Sequence, residues 1–303
     1  MIYTCTLNPS VDYIVGVPAL QQGNTQTSTF SHKQAGGKGV NVSRILHRYS
    51  TPTTALGFIG GFTGDFVSSV LTDEGIRHQF TPIDEDTRIN IKIKAEEETE
   101  LNGASPHVSP IHWETFLNAL SLLQDGDSLV LAGSVPSSLP TEAYQLIAEH
   151  VSSRKVSLIV DARGDVLRSI LPYRPFLLKP NHHELGELFN VEITGLADAK
   201  TYGMKLIEQG AQHVIVSLAG DGALLLSSTH CIHATVPKGK VVNSVGAGDS
   251  LVGGFLAMYA ETKDIEKAFQ YGVATGSATA FSLGLAEKEM IEELLSQVKL
   301  TYI

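Results

Sequence analysis

Apolar and polar residues alternate along most of the chain in a pattern that predicts buried strands separated by helices. Short apolar runs with the length of buried strands lie at residues 1–7, 128–132, 156–161, 176–179 and 213–218. Helix-like segments separate the later runs, and small-residue-rich stretches at residues 251–260 and 268–283 predict closely packed helices. Such alternation is typical of a mostly parallel sheet with helices on both faces. The pattern therefore predicts an α/β fold.

One segment departs from this pattern. Residues 89–94 alternate strictly between isoleucine and a polar side chain, and a run of glutamates follows at residues 96–98. A period of two predicts a half-exposed hairpin over residues 87–101 rather than a core strand. The chain has no tandem repeat, low-complexity tract or flexible linker, so we predict a single domain over residues 1–303.

Composition and charge narrow the possible partners. The chain has 303 residues, 43% of them hydrophobic, and a formal net charge of −10. Such a balance argues against a nucleic acid or an anionic membrane as partner, since either requires a basic face. Cys5 and Cys231 are too few for a disulfide framework and have no zinc-ligand spacing. Without a secretory leader or an apolar run of roughly 18 residues, the sequence predicts a cytoplasmic protein.

The most informative stretch is a glycine-rich turn that leads into an apolar helix at residues 243–255. The first amides of a helix lack intrahelical partners and carry the positive end of its dipole. Gly246, Ala247 and Gly248 could therefore hold a phosphoryl oxygen beside the carboxylate of Asp249. An ordinary strand-to-helix turn with an aspartate cap explains this stretch equally well.

A second glycine-rich loop, at residues 36–41, combines Gly36 and Gly37 with Lys38 and Asn41. The loop could approach a ligand closely and offer it an ammonium and an amide, although it is not a Walker A loop. A glycine turn with an exposed lysine is the alternative. Arg88 could bind a phosphate, but the residue alone favours a solvated charge on an edge strand.

Two further clusters follow buried strands, where open α/β folds bind ligands. Asn181 and Glu184, after Lys179, could organise a hydrated Mg²⁺. The adjacent histidines at residues 182 and 183 lack the HExxH spacing, so solvated or capping roles are favoured over a metal site. Ser217 precedes a turn with Gly220 and Gly222, which also suits an ordinary hairpin. The chain has neither a GxSxG elbow nor a GxGxxG fingerprint, which disfavours hydrolase and dehydrogenase chemistry.

Residues 35–43 and 243–255 together resemble the two signatures of the phosphofructokinase B type, ribokinase-like sugar kinases, and the resemblance covers essentially the whole chain. Further segments are most similar to the 1-phosphofructokinase branch, with tagatose-6-phosphate kinases next: residues 7–12, 87–90, 132–140, 179–188 and 237–240. The resemblance implies a three-layer α/β/α fold with a mostly parallel sheet. It also implies a small β-sheet lid from roughly residues 11–33 and 87–104.

The resemblance assigns roles residue by residue. Asp249 would be the base, and Gly246, Ala247 and Gly248 would form the anion hole. The residues implied in sugar-phosphate binding are Asp12, Gly36, Gly37, Lys38, Asn41, Arg88 and Ser134. Those implied in ATP binding are Lys179, Asn181, Glu184, Ser217, Gly220, Gly222, Asn243 and Gly248. Asn181 and Glu184 would also organise Mg²⁺ through water.

The activity implied is ATP- and Mg²⁺-dependent phosphorylation of fructose 1-phosphate to fructose 1,6-bisphosphate. An alternative is phosphorylation of tagatose 6-phosphate to tagatose 1,6-bisphosphate. A non-catalytic sugar-phosphate sensor is a third hypothesis, because Thr27 stands where many relatives carry an arginine and Arg163 replaces the usual serine. The expected partners are small molecules, and a homodimer through the lid is the expected assembly.

Overall fold

A computed structural model of the protein describes all 303 residues. The strands are β1 (Ile2–Thr6), β2 (Ser10–Gly16), β3 (Phe30–Gly36), β4 (Thr53–Ile59), β5 (Arg77–Pro82), β6 (Ile89–Lys94), β7 (Glu98–Leu101), β8 (Ser128–Ala132), β9 (Ser157–Asp161), β10 (Leu177–Leu178), β11 (His213–Ser217), β12 (Ala223–Ser227), β13 (Cys231–Ala234) and β14 (Leu300–Tyr302). The helices are α1 (Lys38–Arg48), α2 (Gly61–Asp73), α3 (Pro110–Ala119), α4 (Ala143–Val151), α5 (Asp165–Ile170), α6 (His182–Phe189), α7 (Leu196–Glu208), α8 (Ala247–Thr262), α9 (Ile265–Ala280) and α10 (Lys288–Leu295). None of these helices has the length and apolar character that crossing a membrane would require.

A ten-stranded sheet forms the centre of the molecule, in the order β14-β13-β12-β11-β10-β9-β8-β1-β4-β5. The strands from β11 to β5 in this order run parallel to one another. Three antiparallel strands extend the sheet beyond β11. The apolar runs that predicted buried strands correspond to β1, β8, β9, β10 and β11. The predicted mostly parallel sheet is therefore confirmed.

Helices cover both faces of this sheet. On β8, Leu129 and Leu131 belong to a core cluster of 36 buried residues. Val130, between them, belongs to a second cluster of 28 buried residues. Because successive side chains of a strand point to opposite faces, two separate cores can form only if each face is covered. The three-layer α/β/α arrangement is confirmed.

The helices that frame the functional region pack closely through glycines of α8. A Cβ on Gly254 would lie 2.2 Å from Thr275 Oγ1 on α9, and one on Gly253 would lie 2.6 Å from Ile45 Cγ2 on α1. A side chain at either position would push the helices apart. Both α1 and α8 carry predicted site residues in their first turns. The close packing of α8 against α1 therefore fixes the positions of these residues relative to one another.

Four strands form a separate small sheet, in the order β3-β2-β6-β7. They come from the two segments for which the lid is predicted, and β6 and β7 form the predicted hairpin. On β6, Asn90 is 8% exposed and Lys92 is 6% exposed, whereas Ile89 is 40% exposed. The small sheet therefore turns its polar side chains inward and leaves isoleucines on its outer face, the reverse of an ordinary core strand.

Candidate active site

A cavity of about 1040 Å³ lies between the small sheet and the carboxyl ends of the parallel strands. Its walls include Asp12 and Asn90 from the small sheet, Asp161 at the end of β9 and Lys179 just after β10. This edge is where open α/β sheets bind their ligands. The cavity is therefore the candidate active site.

The cavity brings together most of the residues that the sequence singled out. Thirteen of them line it: Asp12, Gly37, Lys38, Asn41, Arg88, Ser134, Lys179, Asn181, Glu184, Ser217, Gly246, Gly248 and Asp249. Five others lie outside its lining: Gly36, Ala247, Gly220, Gly222 and Asn243. Segments far apart in the chain thus meet at one place.

The start of α8 presents free amides to the cavity. Gly246 is the N-cap residue and has φ 80°, a left-handed conformation that suits glycine. The amides of Gly246, Gly248 and Asp249 have no hydrogen-bond acceptor in the protein, whereas the Ala247 amide donates to Ser244 O at 3.2 Å. The free donors at this helix start therefore differ by one residue from the predicted set, with Asp249 in place of Ala247. They lie at the positive end of a 16-residue helix, where such donors could hold an anion.

Asp249 is a buried carboxylate in this turn, 6% exposed. Its Oδ2 accepts a hydrogen bond from Asn41 Nδ2 at 2.8 Å. Burial raises the pKa of Asp249 to about 6, and the nearby charge of Asp161 adds to the increase, against the opposing effects of Lys38, Asn41 and Lys179. A carboxyl with this pKa is mostly ionised at neutral pH and close to the range in which it can accept a proton.

Asp161 holds two lysines near Asp249. It lies 2.8 Å from Lys38 Nζ and 3.4 Å from Lys179 Nζ. Burial alone would raise the pKa of Asp161, but the two ammonium groups outweigh burial and lower its pKa. Burial likewise opposes the charge of Lys38, yet the carboxylates of Asp161 and Asp249 raise the pKa of that lysine. Lys38 is therefore charged, and Asp161 holds both lysines in place.

Gly248 allows the ammonium group of Lys179 to approach the free amides at the start of α8. A Cβ on Gly248 would lie 3.1 Å from Lys179 Nζ. Any side chain here would crowd the ammonium away from the start of α8. The free amides and a lysine charge thus converge on one point, which is the arrangement that stabilises charge on a phosphoryl group.

At the other end of the cavity, Arg88 offers an unpaired donor. Its NH2 group donates to Asn8 O at 3.1 Å, and its buried Nε has no partner within the protein. Asn8 Nδ2 donates to Ser105 Oγ at 2.7 Å and to Ser134 Oγ at 3.3 Å. A buried N–H without an acceptor is costly unless a ligand supplies one. This end of the cavity fits an anionic group.

The residues expected to organise Mg²⁺ form the capping box of α6. Glu184 Oε2 accepts from the Asn181 amide at 2.9 Å, and Asn181 Oδ1 accepts from the Glu184 amide at 2.8 Å. Glu184 Oε1 also lies 3.0 Å from Arg163 Nε. No group of three or more His, Cys, Asp or Glu side chains is placed to hold a metal ion directly. These residues fit a hydrated Mg²⁺ held through its waters, since each oxygen retains a lone pair for a water.

The predicted residues outside the lining shape the site through the backbone. A Cβ on Gly36 would lie 2.5 Å from Asp12 Oδ1, so only glycine leaves the carboxylate in place. Asn243 Oδ1 accepts from the Val245 amide at 3.1 Å and its Nδ2 donates to Leu283 O at 3.2 Å, which orders the turn before α8. Gly222 has φ 94° after the short turn that follows β11. The ring centroids of His182 and His183 lie 3.9 Å apart, with the rings tilted by 38°, outside the cavity lining.

Comparison with known proteins agrees with this geometry. A family model described as pfkB family carbohydrate kinase matches residues 6–291. The 1-phosphofructokinase of Bacillus subtilis is 50% identical over 301 residues, which cover 99% of each chain. The D-tagatose-1-phosphate kinase of Bacillus licheniformis is 34% identical over 305 residues and the full length of both chains.

Solved structures of Escherichia coli phosphofructokinase-2 have the same fold. The complex with fructose-6-phosphate has a TM-score of 0.91 at 29% identity, over 98% of each chain. The tetrameric inhibited form has the same score, identity and coverage. The match extends over the central sheet and the small sheet alike.

The hydrogen bond from Asn41 yields a first prediction. In the wild type, the Asp249 carboxyl should titrate near pH 6, measured by carboxyl ¹³C NMR of protein labelled at aspartate. Asn41→Ala removes a donor that favours the ionised form, so the pKa of Asp249 should rise. Asn102→Ala, another change in the cavity wall, is the control and should leave this pKa unchanged. An Asp249 pKa near the ordinary value of 3.8, or no shift in Asn41→Ala, would contradict the electrostatic description.

Proposed function

The chain belongs to the pfkB family of carbohydrate kinases, as its motifs predicted, and we propose that it transfers the γ-phosphoryl group of ATP to the C6 hydroxyl of fructose 1-phosphate. The products would be fructose 1,6-bisphosphate and ADP. The observation that carries this proposal is the junction at the start of α8. There, a buried carboxylate lies beside free amides and two lysines, in a cavity that also offers Arg88 to a second anionic group.

Asp249 would act as the base. The sugar hydroxyl oxygen forms a bond to the γ-phosphorus while the bond from that phosphorus to the bridging oxygen of ADP breaks. The hydroxyl proton passes to the Asp249 carboxylate, whose Oδ2 Asn41 already holds in position at 2.8 Å. Direct transfer of this kind needs no covalent enzyme intermediate.

The amides of Gly246, Gly248 and Asp249, with Lys179, would neutralise charge on the transferring group. Such preorganised donors act strongly in a site from which water is excluded. Lys38, which lines the cavity and pairs with Asp161 at 2.8 Å, would orient the acceptor. Asn181 and Glu184 would hold the waters of Mg²⁺, and the ion would offset the negative charge of the ATP phosphates. Ser217, Gly220 and Gly222 would border the nucleotide.

The small sheet would act as a lid over the sugar. Its inward polar residues Asp12 and Asn90 line the cavity, where they would face the sugar hydroxyls. A covered acceptor site favours transfer to the sugar over transfer to water.

The relatives support the choice of sugar. The B. subtilis relative at 50% identity is named for a 1-phosphate of fructose, and the tagatose relative at 34% is named for a 1-phosphate as well. Tagatose 6-phosphate as substrate is therefore not favoured. A sensor without turnover is also disfavoured, because a protein that only binds gains nothing from a buried base at an anion-binding turn.

We also propose a homodimer through the outer face of the small sheet. Ile89 and Leu101 are exposed there at 40% and 54%, and the half-buried Ile91 and Ile93 continue the same row. Single exposed apolar residues are common, but a contiguous row on one sheet face is typical of an interface. A tetrameric form of a similar protein is consistent with self-association in this family.

Steady-state kinetics test the proposed substrate. With ATP and Mg²⁺, kcat/KM should be highest for fructose 1-phosphate among fructose 1-phosphate, tagatose 1-phosphate, fructose 6-phosphate, tagatose 6-phosphate and fructose. Arg88→Met should reduce the preference for fructose 1-phosphate over fructose by roughly 10-fold or more, because a charge-assisted contact to phosphate is lost. Arg77→Met, at an exposed arginine outside the cavity, is the matched control. Preference for another sugar, or an unchanged preference in Arg88→Met, would overturn the assignment.

Sedimentation analysis tests the assembly. The wild type should sediment as a dimer at micromolar concentration. Leu101→Glu, which places a charge in the apolar row, should shift it to monomer. Ile111→Glu on α3 changes an apolar residue that is 63% exposed away from the small sheet, and should remain dimeric. A monomeric wild type, or dissociation by both variants alike, would exclude this interface.

A further inference from the structure

Lys92 is a buried lysine on the inner face of the small sheet, and none of the roles described above uses it. It is 6% exposed, and its Nζ lies 3.0 Å from Asp12 Oδ2. Lysine is almost never buried to this extent unless it is paired. The partner, Asp12, is itself only 7% exposed and lines the cavity.

The remaining contacts of Asp12 show what the lysine does to it. Oδ1 accepts hydrogen bonds from Ser10 Oγ at 2.7 Å and from Asn90 Nδ2 at 3.0 Å. A carboxylate oxygen has about two acceptor sites, so Oδ1 is saturated. Oδ2 accepts from Lys92 and keeps one site for a ligand. Three protein groups therefore fix the carboxylate and leave a single acceptor position.

The positive charge of Lys92 has a second effect, on the electrostatics of the cavity. Five carboxylates line the cavity, those of Asp12, Glu100, Asp161, Glu184 and Asp249, against four cations, those of Lys38, Arg88, Arg163 and Lys179. Both proposed substrates are anions. An unpaired Asp12 would repel the phosphate of the sugar, and Lys92, directly behind it, offsets that charge.

Stability does not explain the pair. Buried ion pairs often contribute little net stability compared with apolar residues of similar volume, so their presence needs another reason. The row of isoleucines on the same strand shows that apolar side chains are compatible with β6. The pair lies where the sugar would bind.

We infer that Lys92 is a positioning residue for sugar-phosphate recognition. It holds Asp12 so that the free acceptor site of Oδ2 receives a sugar hydroxyl, and it cancels the carboxylate charge beside the sugar phosphate. This inference rests on the proposed function and adds to it a residue that determines affinity for the acceptor.

Lys92→Met tests the inference, since it keeps an unbranched side chain only one atom shorter and removes the charge. The KM for fructose 1-phosphate should rise roughly 10-fold to 100-fold, while kcat and the KM for ATP stay close to wild type. Lys94→Met is the matched control, because Lys94 Nζ pairs with the exposed Glu98 at 2.6 Å on the same hairpin. It should leave all three constants unchanged.

A double-mutant cycle separates positioning from other roles. Lys92→Met leaves a buried carboxylate unpaired and could lower stability, so Tm is measured for each variant. Asp12→Asn combined with Lys92→Met removes both charges and should recover Tm without recovering KM. If Lys92 acts through Asp12, Lys92→Met should have no further effect on KM in the Asp12→Asn background. Equal effects in both backgrounds would overturn the positioning role and indicate direct contact with the sugar.

The wild type, measured alongside, distinguishes failure of the inference from failure of the proposed function. If the wild type turns over fructose 1-phosphate and the folded Lys92→Met variant has an unchanged KM for it, the inference is overturned. The proposed function then stands. If the wild type turns over none of the sugars, calorimetric titration with fructose 1-phosphate decides. If Lys92→Met weakens the binding of fructose 1-phosphate by the factor expected for KM, the role of Lys92 is supported without the kinase assignment. If the wild type does not bind fructose 1-phosphate, both the inference and the proposed function are overturned.

Discussion

Asp161 and Asp249 are two of the buried carboxylates that line the cavity, and the rest of the site depends on how their charges are balanced. Each ionised carboxylate loses solvation on burial, and the charge of Asp161 also raises the pKa of Asp249. Asp161 has Lys38 and Lys179 within 2.8 and 3.4 Å, so its pKa falls. Asp249 has only the amide of Asn41 as a direct partner, so its pKa rises to about 6. Similar side chains thus acquire different roles, one anchoring cations and the other able to accept a proton.

The raised pKa of Asp249 means that its ionised carboxylate lowers the stability of the fold at neutral pH. The pKa of Asp249 rises from 3.8 to about 6, and about two pKa units correspond to about 3 kcal/mol. A raised carboxyl pKa means that the folded protein binds the proton more tightly than the unfolded chain does. Stability therefore decreases as pH rises from about 4 to about 6. The ionised carboxylate thus destabilises the fold most at the pH at which it could act as a base. Close packing of α8 against α1 and α9 through Gly253 and Gly254 holds the charge in place despite this cost.

Much of the fold could be predicted from the sequence, because buried parallel strands and small-residue helices leave local patterns. The runs that form β1, β8, β9 and β11 are apolar and have the length of strands. The glycine-rich sequence of residues 243–255 predicts a turn that leads into a helix. The inward face of β6 could not be predicted, since alternation fixes two faces but not which one is buried. Only the sheet that covers the cavity decides that Asn90 and Lys92 point in.

The same limit applies to the site. Glycine-rich turns, polar residues after strands and the family resemblance together marked thirteen of the cavity residues. Contacts between residues far apart in the chain left no local signal in the sequence. Examples are Asn8 with Ser105, 97 residues apart, and Asp12 with Lys92. The role of Asp161 likewise emerges only when β9 brings it between two lysines from separate loops. Which amides are free at α8 depends on one turn bond, from Ala247 to Ser244, that the motif alone does not specify.

The central claim is that Asp249 is a base and not a binding group. Asp249→Asn keeps the shape and removes the proton acceptor, so turnover and binding measured on one protein sample test the claim most directly. We expect the calorimetric Kd values for fructose 1-phosphate and for ATP with Mg²⁺ to stay within a few-fold of wild type, while kcat falls by roughly 10²-fold to 10⁴-fold. Turnover close to wild type, or loss of binding in step with loss of turnover, would contradict the account.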